Sequence, residues 1–408
     1  MPNDNASQPS HSSFERPGYW KLVAAGEPYR LLFVVGSVLG LLGIGLWPAY
    51  ALKWIDFYPG LMHARIMIEG FLTCFVVGFL GTAFPRLLDV KRFSLEESLT
   101  WTVALITASL CHLFGNYLWG DFLFTLSILL LVYNLLTRFA SRKDTPPPGF
   151  ILVMLGMLCA LFGGTLQVVI HLSPDGINYA MSTFSRLALN QGYLLLPVMG
   201  IGAFLIPRFF GLPNRQNFPE SKKLPVGWIP RALFALFCGI LVLASFVLEA
   251  NNYLHTGYSL RAFAILLYFF RELPIHQAKF NQGALALSIR IALISIPLGY
   301  ILMAIWPERQ AAFIHVVFIS GFSLLTFIVA SRVILGHSGQ SHMFRKNLKS
   351  VYALLALMCL AMLTRVSADW LPSVRMNHLG YAAATWMIAV ILWGTQFFKY
   401  LSHEDCES

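Results

Sequence analysis

Eleven histidines are spread through a chain of 408 residues. Six of them, His63, His112, His171, His255, His315 and His378, fall on one side of the molecule once its apolar runs are threaded through a bilayer. Neutral imidazole is a common protein ligand for haem iron and for copper, and it is costly to leave unpaired in lipid. Histidines gathered at one membrane depth therefore suggest a metal or haem site. Taken singly, each also reads as an interfacial histidine bonded to water or a carbonyl. His255, which falls in an expected outer loop, keeps that plainer reading.

His63 stands near the outer start of the second apolar run, with Gly70 seven residues on along the same helical face. A small residue there would let something flat approach. Glu69 lies about 10 Å further along the helix, a carboxylate that needs a partner in lipid. Arg65, four residues before it, is the local partner. The pair reads either as a structural ion pair or with Glu69 as a proton relay. His315 occupies the equivalent place in the tenth run. His171 ends the fifth run with Gln167 one turn earlier, His112 lies in the third, and His378 begins the twelfth. His337 follows His315 by about 33 Å of continuous helix, too far to share its metal. It sits in Gly336-His337-Ser338-Gly339, where glycine marks a helix exit. His276, His342 and His403 read as solvated.

Long apolar segments must position these residues. The chain is 57% hydrophobic and 12% charged, and a soluble protein would carry roughly twice that charge. Runs of about 20 apolar residues near 29–52, 61–84, 98–118, 121–138, 150–171, 184–206, 230–249, 254–270, 285–305, 311–335, 351–367 and 376–399 read as membrane spans. The eighth is the weakest, being short and interrupted by Arg261. This gives an all-α integral membrane protein of about twelve transmembrane helices. Residues 1–28 form a polar N-terminal segment without a cleavable signal pattern, 29–399 the transmembrane domain, and 400–408 a short tail.

Net charge of +10 could suggest nucleic acid, but most Lys and Arg cluster in alternate loops, among them Arg86/Lys91/Arg92, Arg138/Arg142/Lys143 and Arg345/Lys346/Lys349. The positive-inside rule then places both termini in the cytoplasm. The six cysteines are dispersed, without a CxxC or CxxCH pair, so neither a zinc ribbon nor covalently attached haem is indicated. Arg86, Arg208 and Arg332 recur at cytoplasmic helix ends at nearly equal intervals of four helices, a hint of three four-helix arcs. Tyr19-Trp20-Lys21-Leu22 would suit an interfacial turn.

His315 followed by Ser331-Arg332-Val333-Ile334-Leu335-Gly336-His337-Ser338-Gly339 resembles the most characteristic stretch of the NnrS family. Further matches are Glu27-Pro28-Tyr29-Arg30, His63-Ala64 with Gly70-Phe71, Thr82-Ala83-Phe84-Pro85-Arg86, His171-Leu172 and Ile206-Pro207-Arg208, so the resemblance spans essentially the whole chain. It implies a twelve-span protein of the bacterial inner membrane, with haem b and copper, linked to tolerance of nitric oxide or metal-nitrosyl species. Carried over by position, it implies His63, His171 and His315 as ligands, with Arg332, Gly336 and His337 as motif residues. Where many members carry a second histidine and a glutamate after the first histidine of helix two, this chain has Arg65 and Ile66. The arrangement also resembles the catalytic subunit of haem-copper oxidases, in which helices two and ten present haem ligands. Helices six and seven here lack the histidines of an oxygen-reducing centre.

Two other readings stand beside this one. Twelve spans with both ends inside also fit a secondary transporter without a metal cofactor, for which Glu69, Asn190, Gln191, Pro197 and Pro297 are the intramembrane features. A scaffold for respiratory enzymes is the third. No reaction can be assigned from the residues alone.

Overall fold

A computed structural model describes residues 18–280 and 282–404. The first 17 residues of the polar N-terminal segment, and the last four residues of the tail with Cys406, lie outside the described residues. Ten of its helices are long and apolar enough to cross a membrane: α1 (Tyr29–Ala51), α2 (Gly60–Leu87), α4 (Tyr117–Ala140), α5 (Phe150–Leu172), α6 (Tyr179–Phe209), α7 (Trp228–Ala250), α9 (Ala284–Ile305), α10 (Pro307–Gly336), α11 (Lys349–Ser367) and α12 (Pro372–Tyr400). Two further long helices, α3 (Leu95–Leu113) and α8 (Leu254–Glu272), carry Glu96 and Glu97, and Arg261, Arg271 and Glu272. Arg261, which weakens the eighth apolar run, is wholly buried.

Local signals start several of these helices. Ser94 and Glu97 close a reciprocal capping box on α3, and the Asn116 and Asn178 side chains cap α4 and α6. Outward faces remain apolar: Leu126, Leu129, Tyr133 and Leu136 form an exposed stripe along α4. Water would not tolerate so much contiguous apolar surface, whereas lipid does.

The helices close on one another in a ring. α1 packs on α2, α3 and α12; α3 on α4; α4 on α5; α5 on α6 and α7; α7 on α8; α8 on α9; α9 on α10 and α11; α11 on α12. The insides are α2, α6 and α10, with 78%, 78% and 67% of their apolar windows buried against 33% for α11. Each inner helix is the second of four in sequence, as the spacing of the three arginines suggests. Gly149, just before α5, and Gly156 and Gly163 on it recur every seven residues, and a Cβ on them would meet Gly200, Pro197 and Leu189 of α6. These small residues let the two backbones approach closely.

All three inner helices widen into a π-helical stretch: Ile66–Leu72 in α2, Ala188–Gly192 in α6 and Val316–Ser323 in α10. Such turns loosen the hydrogen-bond ladder and concentrate at functional sites. They also change the helical period. Gly70, expected on the face of His63, instead packs on α3, where an added Cβ would lie 2.5 Å from Ser109 Oγ. Seven residues make two turns of an α-helix but fewer than two of a π-helix, so the face expected from sequence has rotated away.

Candidate functional site

A cavity of about 370 Å³ lies between α2 and α10, walled further by α1, α6, α11 and α12. His63 and His315 both line it. The His63 Nδ1 lies 3.0 Å from the Gly43 carbonyl, and the His315 Nδ1 lies 2.7 Å from that of Ala311. A carbonyl can only accept, so each Nδ1 carries the proton and each Nε2 keeps its lone pair. Neither Nε2 has a hydrogen-bond partner among the described residues. An imidazole whose far nitrogen is anchored to a carbonyl is the usual state of a metal ligand. Trp47 stands edge-on to the His63 ring at 5.8 Å. Arg365 adds a positive charge to the wall; it donates to the Ala311 carbonyl at 3.3 Å and is held by Asp369 at 3.0 Å.

On the other face of α2 lies a buried ion cluster. The Arg65 guanidinium reaches Glu69 Oε1 at 3.1 Å, Asp121 Oδ1 of α4 at 3.1 Å and Gln167 of α5 at 2.8 Å. His112 of α3 places Nε2 2.9 Å from Glu69 and 3.9 Å from Asp121. His171 of α5 places Nε2 3.0 Å from Asp121. Arg65, Glu69, His112 and Asp121 are all buried, while the His171 side chain is 29% exposed. The cluster thus runs from the molecular surface at His171 to the interior at His112. One guanidinium is shared by two carboxylates, with an imidazole on each of them.

Donor atoms of Glu69, His112 and Asp121 lie within 4.8 Å of one another, close enough for one metal ion to bridge. Arg65 Nε, Glu69 Oε1, His112 Nδ1 and Asp121 Oδ1 lack a well-directed hydrogen bond among the described residues. A metal there would have to share both carboxylates with Arg65, which already pairs with Glu69 Oε1 and Asp121 Oδ1. The donors are hard oxygens and imidazole, without the thiolate or thioether that selects Cu(I).

The structure therefore divides the expected ligands. His63 and His315 share one cavity, His112 and His171 share the ion cluster, and His378 stands apart with Nδ1 2.9 Å from Ser367 Oγ. His255 lies in the first turn of α8 rather than in a loop, with Nδ1 2.7 Å from the Ala304 carbonyl. Asp121 is absent from the sequence reading of the site, although a lone carboxylate at the head of an apolar run, one turn inside α4, was a usable signal. Arg365 likewise has no part in the sequence reading of the site.

The long motif has a structural place at the far end of the bundle. Glu27 accepts from Arg30 at 2.6 Å and from Arg86 at 2.6 Å, and lies 3.2 Å from His337 Nδ1. The Arg30 guanidinium also binds the carbonyls of His337 and Leu401. Chain start, α2, the α10 exit and the region after α12 are thereby tied together. Burial pushes the Glu27 carboxyl up, but the His337 hydrogen bond and the Arg30 charge outweigh it and hold the carboxyl at about 2. Arg332 lies over the rings of Phe209 and Phe344.

Across the ring a second buried group repeats the theme. Arg261 pairs with Glu249 at 2.6 Å and donates to Gln191 in the π-helical stretch of α6 at 2.7 Å; Tyr300 donates to the same Gln191 oxygen at 3.0 Å.

Ring-closed apolar helices, buried ion clusters and a histidine-lined cavity define a multi-pass helical membrane protein with an intramembrane site. The chain matches the NnrS protein family over residues 24–404, nearly its full length, and belongs to that family. No curated protein matches it.

Proposed function

We propose that the cavity between α2 and α10 is a haem b site, with His63 and His315 as the residues that would hold it, in a protein that serves tolerance of nitric oxide. The observation that carries this reading is the pair of imidazoles lining one cavity, each anchored at Nδ1 and each with Nε2 unpartnered. A volume of about 370 Å³ falls in the range of cofactor pockets, roughly 300–1,000 Å³. Haem held by two imidazoles carries electrons, and haem with an open position binds diatomic gases.

The chain's own contribution is positioning. The Gly43 and Ala311 carbonyls fix the tautomer and orientation of the two rings. Arg365, steadied by Asp369, offers a cation to an acidic group of the ligand. Trp47, Phe318 and Trp386 supply apolar wall that keeps water out. His171 and His112 belong to the ion cluster. Arg65 already pairs with both carboxylates of that cluster, and no thiolate or thioether is present, so its residues do not fit Cu(I) and no step runs through copper.

Around this site we place twelve spans in a bacterial inner membrane, with both termini cytoplasmic; in α3 and α8 the charged residues stand in the first or last turn, apart from the buried Arg261, which leaves the remaining length free to cross. The arginine-rich loops support that orientation. A transporter reading draws on the buried Arg65 and Arg261 clusters and the interrupted inner helices.

Absorption spectra of the purified protein, oxidised and dithionite-reduced, with pyridine-haemochrome quantitation, separate the two readings. A b-type spectrum altered in both His63→Ala and His315→Ala is the expected result. A colourless protein after expression with ample haem would overturn the haem assignment and move the weight to transport.

A further inference from the structure

A second cavity, of about 120 Å³, lies between α2, α6 and α10. Its wall is apolar apart from Thr326; Phe75, Val198 and Val329 represent the three helices. It begins where the histidine cavity ends. On α2 the lining passes from Ile68 to Phe75 through Leu72, which borders both spaces. On α6 it passes from Gln191 to Leu194 within about one turn, and on α10 Ser323 of the histidine cavity adjoins Phe322 of the second one. From there it continues along the inner helices toward the ends that carry Arg86, Arg208 and Arg332.

Resting on the haem reading above, we infer that this second cavity is a binding site and conduit for a small uncharged diatomic gas, with Leu72 as the partition before the histidines. A buried water needs two to four polar partners, and one hydroxyl supplies too few. Apolar cavities of comparable size, about 150 Å³ in the engineered lysozyme example, stay dry and accept benzene or xenon. An ion would lose its hydration here without compensation. A neutral gas dissolved in lipid pays no such penalty. It would pass to the histidine cavity by Leu72, the side chain that borders both spaces and ends the π-helical stretch Ile66–Leu72.

The test uses the full chain in lipid nanodiscs. Xenon binding is followed by 129Xe NMR in wild type, Val198→Phe and Val329→Phe, two wall positions that are only half buried and so tolerate bulk. Carbon monoxide rebinding after flash photolysis is followed in haem-loaded His315→Ala, which leaves a position open to the gas, with and without Leu72→Trp. The expected result is saturable xenon binding in wild type that both phenylalanine variants abolish, with rebinding slowed about tenfold in Leu72→Trp at an unchanged haem spectrum. If Leu72→Trp fails to fold, Val198→Phe and Val329→Phe serve for the rebinding measurement as well. No saturable xenon signal in wild type would overturn the inference. So would a signal present in detergent and absent in nanodiscs, which would mean that a lipid chain fills the space. Xenon binding in a colourless protein would refute the haem reading and delivery to it, while leaving the gas site standing. Rebinding rates unmoved by every variant would refute the conduit alone.

Discussion

Replacing Arg65 with methionine leaves Glu69 and Asp121 facing each other without their shared cation. The guanidinium makes ion pairs at 3.1 Å with each carboxylate, and its side chain is only 7% exposed. At an effective dielectric of about 20, each pair is worth roughly 5 kcal/mol of Coulomb energy. Desolvation of three buried ions offsets most of that sum. What remains on removing one partner is the cost of an uncompensated buried charge, about 3–5 kcal/mol. For a chain of this size, that corresponds to a fall in Tm of about 3–6 °C. Thermal unfolding in detergent, read by tryptophan fluorescence, measures it. The decisive comparison is Arg65→Met/Glu69→Gln/Asp121→Asn, which removes the cation and both charges together. If the loss comes from unpaired charge, this variant regains most of the lost Tm, because a buried ion group replaced by neutral residues of similar shape is often near neutral in stability. A single variant within about 1 °C of wild type, or a triple variant as unstable as the single one, would refute the charge-balance argument.

At the opposite end, the Glu27 carboxyl sits at about 2, against an ordinary 4.5. Its folded value is depressed, so the stability it contributes is present in full above 4.5 and is lost as pH falls toward 2. The Tm difference between wild type and Glu27→Gln should therefore shrink steadily through that window; a constant difference would disprove the linkage. Gly120→Ala places a methyl into the His112 ring, and overpacking of this kind costs about 1–3 kcal/mol. Thermal melts should show the loss, and Gly115→Ala, which meets nothing within 4 Å but has φ +75°, provides a comparison for backbone strain alone. His378→Ala, which removes only the Ser367 contact, should leave the haem absorption of the purified protein unchanged; a shifted spectrum would bring His378 into the site.

The apolar runs were legible because lipid imposes a length and a composition on every span, and both are local properties. The arginine spacing was legible for the same reason, and it falls on the three inner helices. The grouping of the histidines was not. Depth in the membrane follows from position along a run, which is why six of them could be put on one side. Which of them meet depends on the direction each helix face takes around its axis, and the π-helical stretches shift that direction in α2, α6 and α10. Gly70 shows the consequence: it keeps its depth and loses its face. His171 shows another: the packing of α4 against α5 gives it Asp121 as partner, whereas α10 brings His315 to the cavity of His63.

Arg65 and Glu69 were paired correctly from their spacing, since an (i, i+4) contact is local. The second carboxylate on that arginine, 56 residues away, was not foreseeable from either neighbourhood. The same holds for Glu27, whose partners Arg86 and His337 lie on two other parts of the chain. Sequence alone determined a helical membrane protein of the NnrS type, rich in histidine at one depth, because hydropathy, charge bias and short motifs are read along the chain. Tertiary structure alone decided that these histidines divide between a cavity and an ion cluster, because electrostatic partners are chosen by packing across helices and not by distance along the chain.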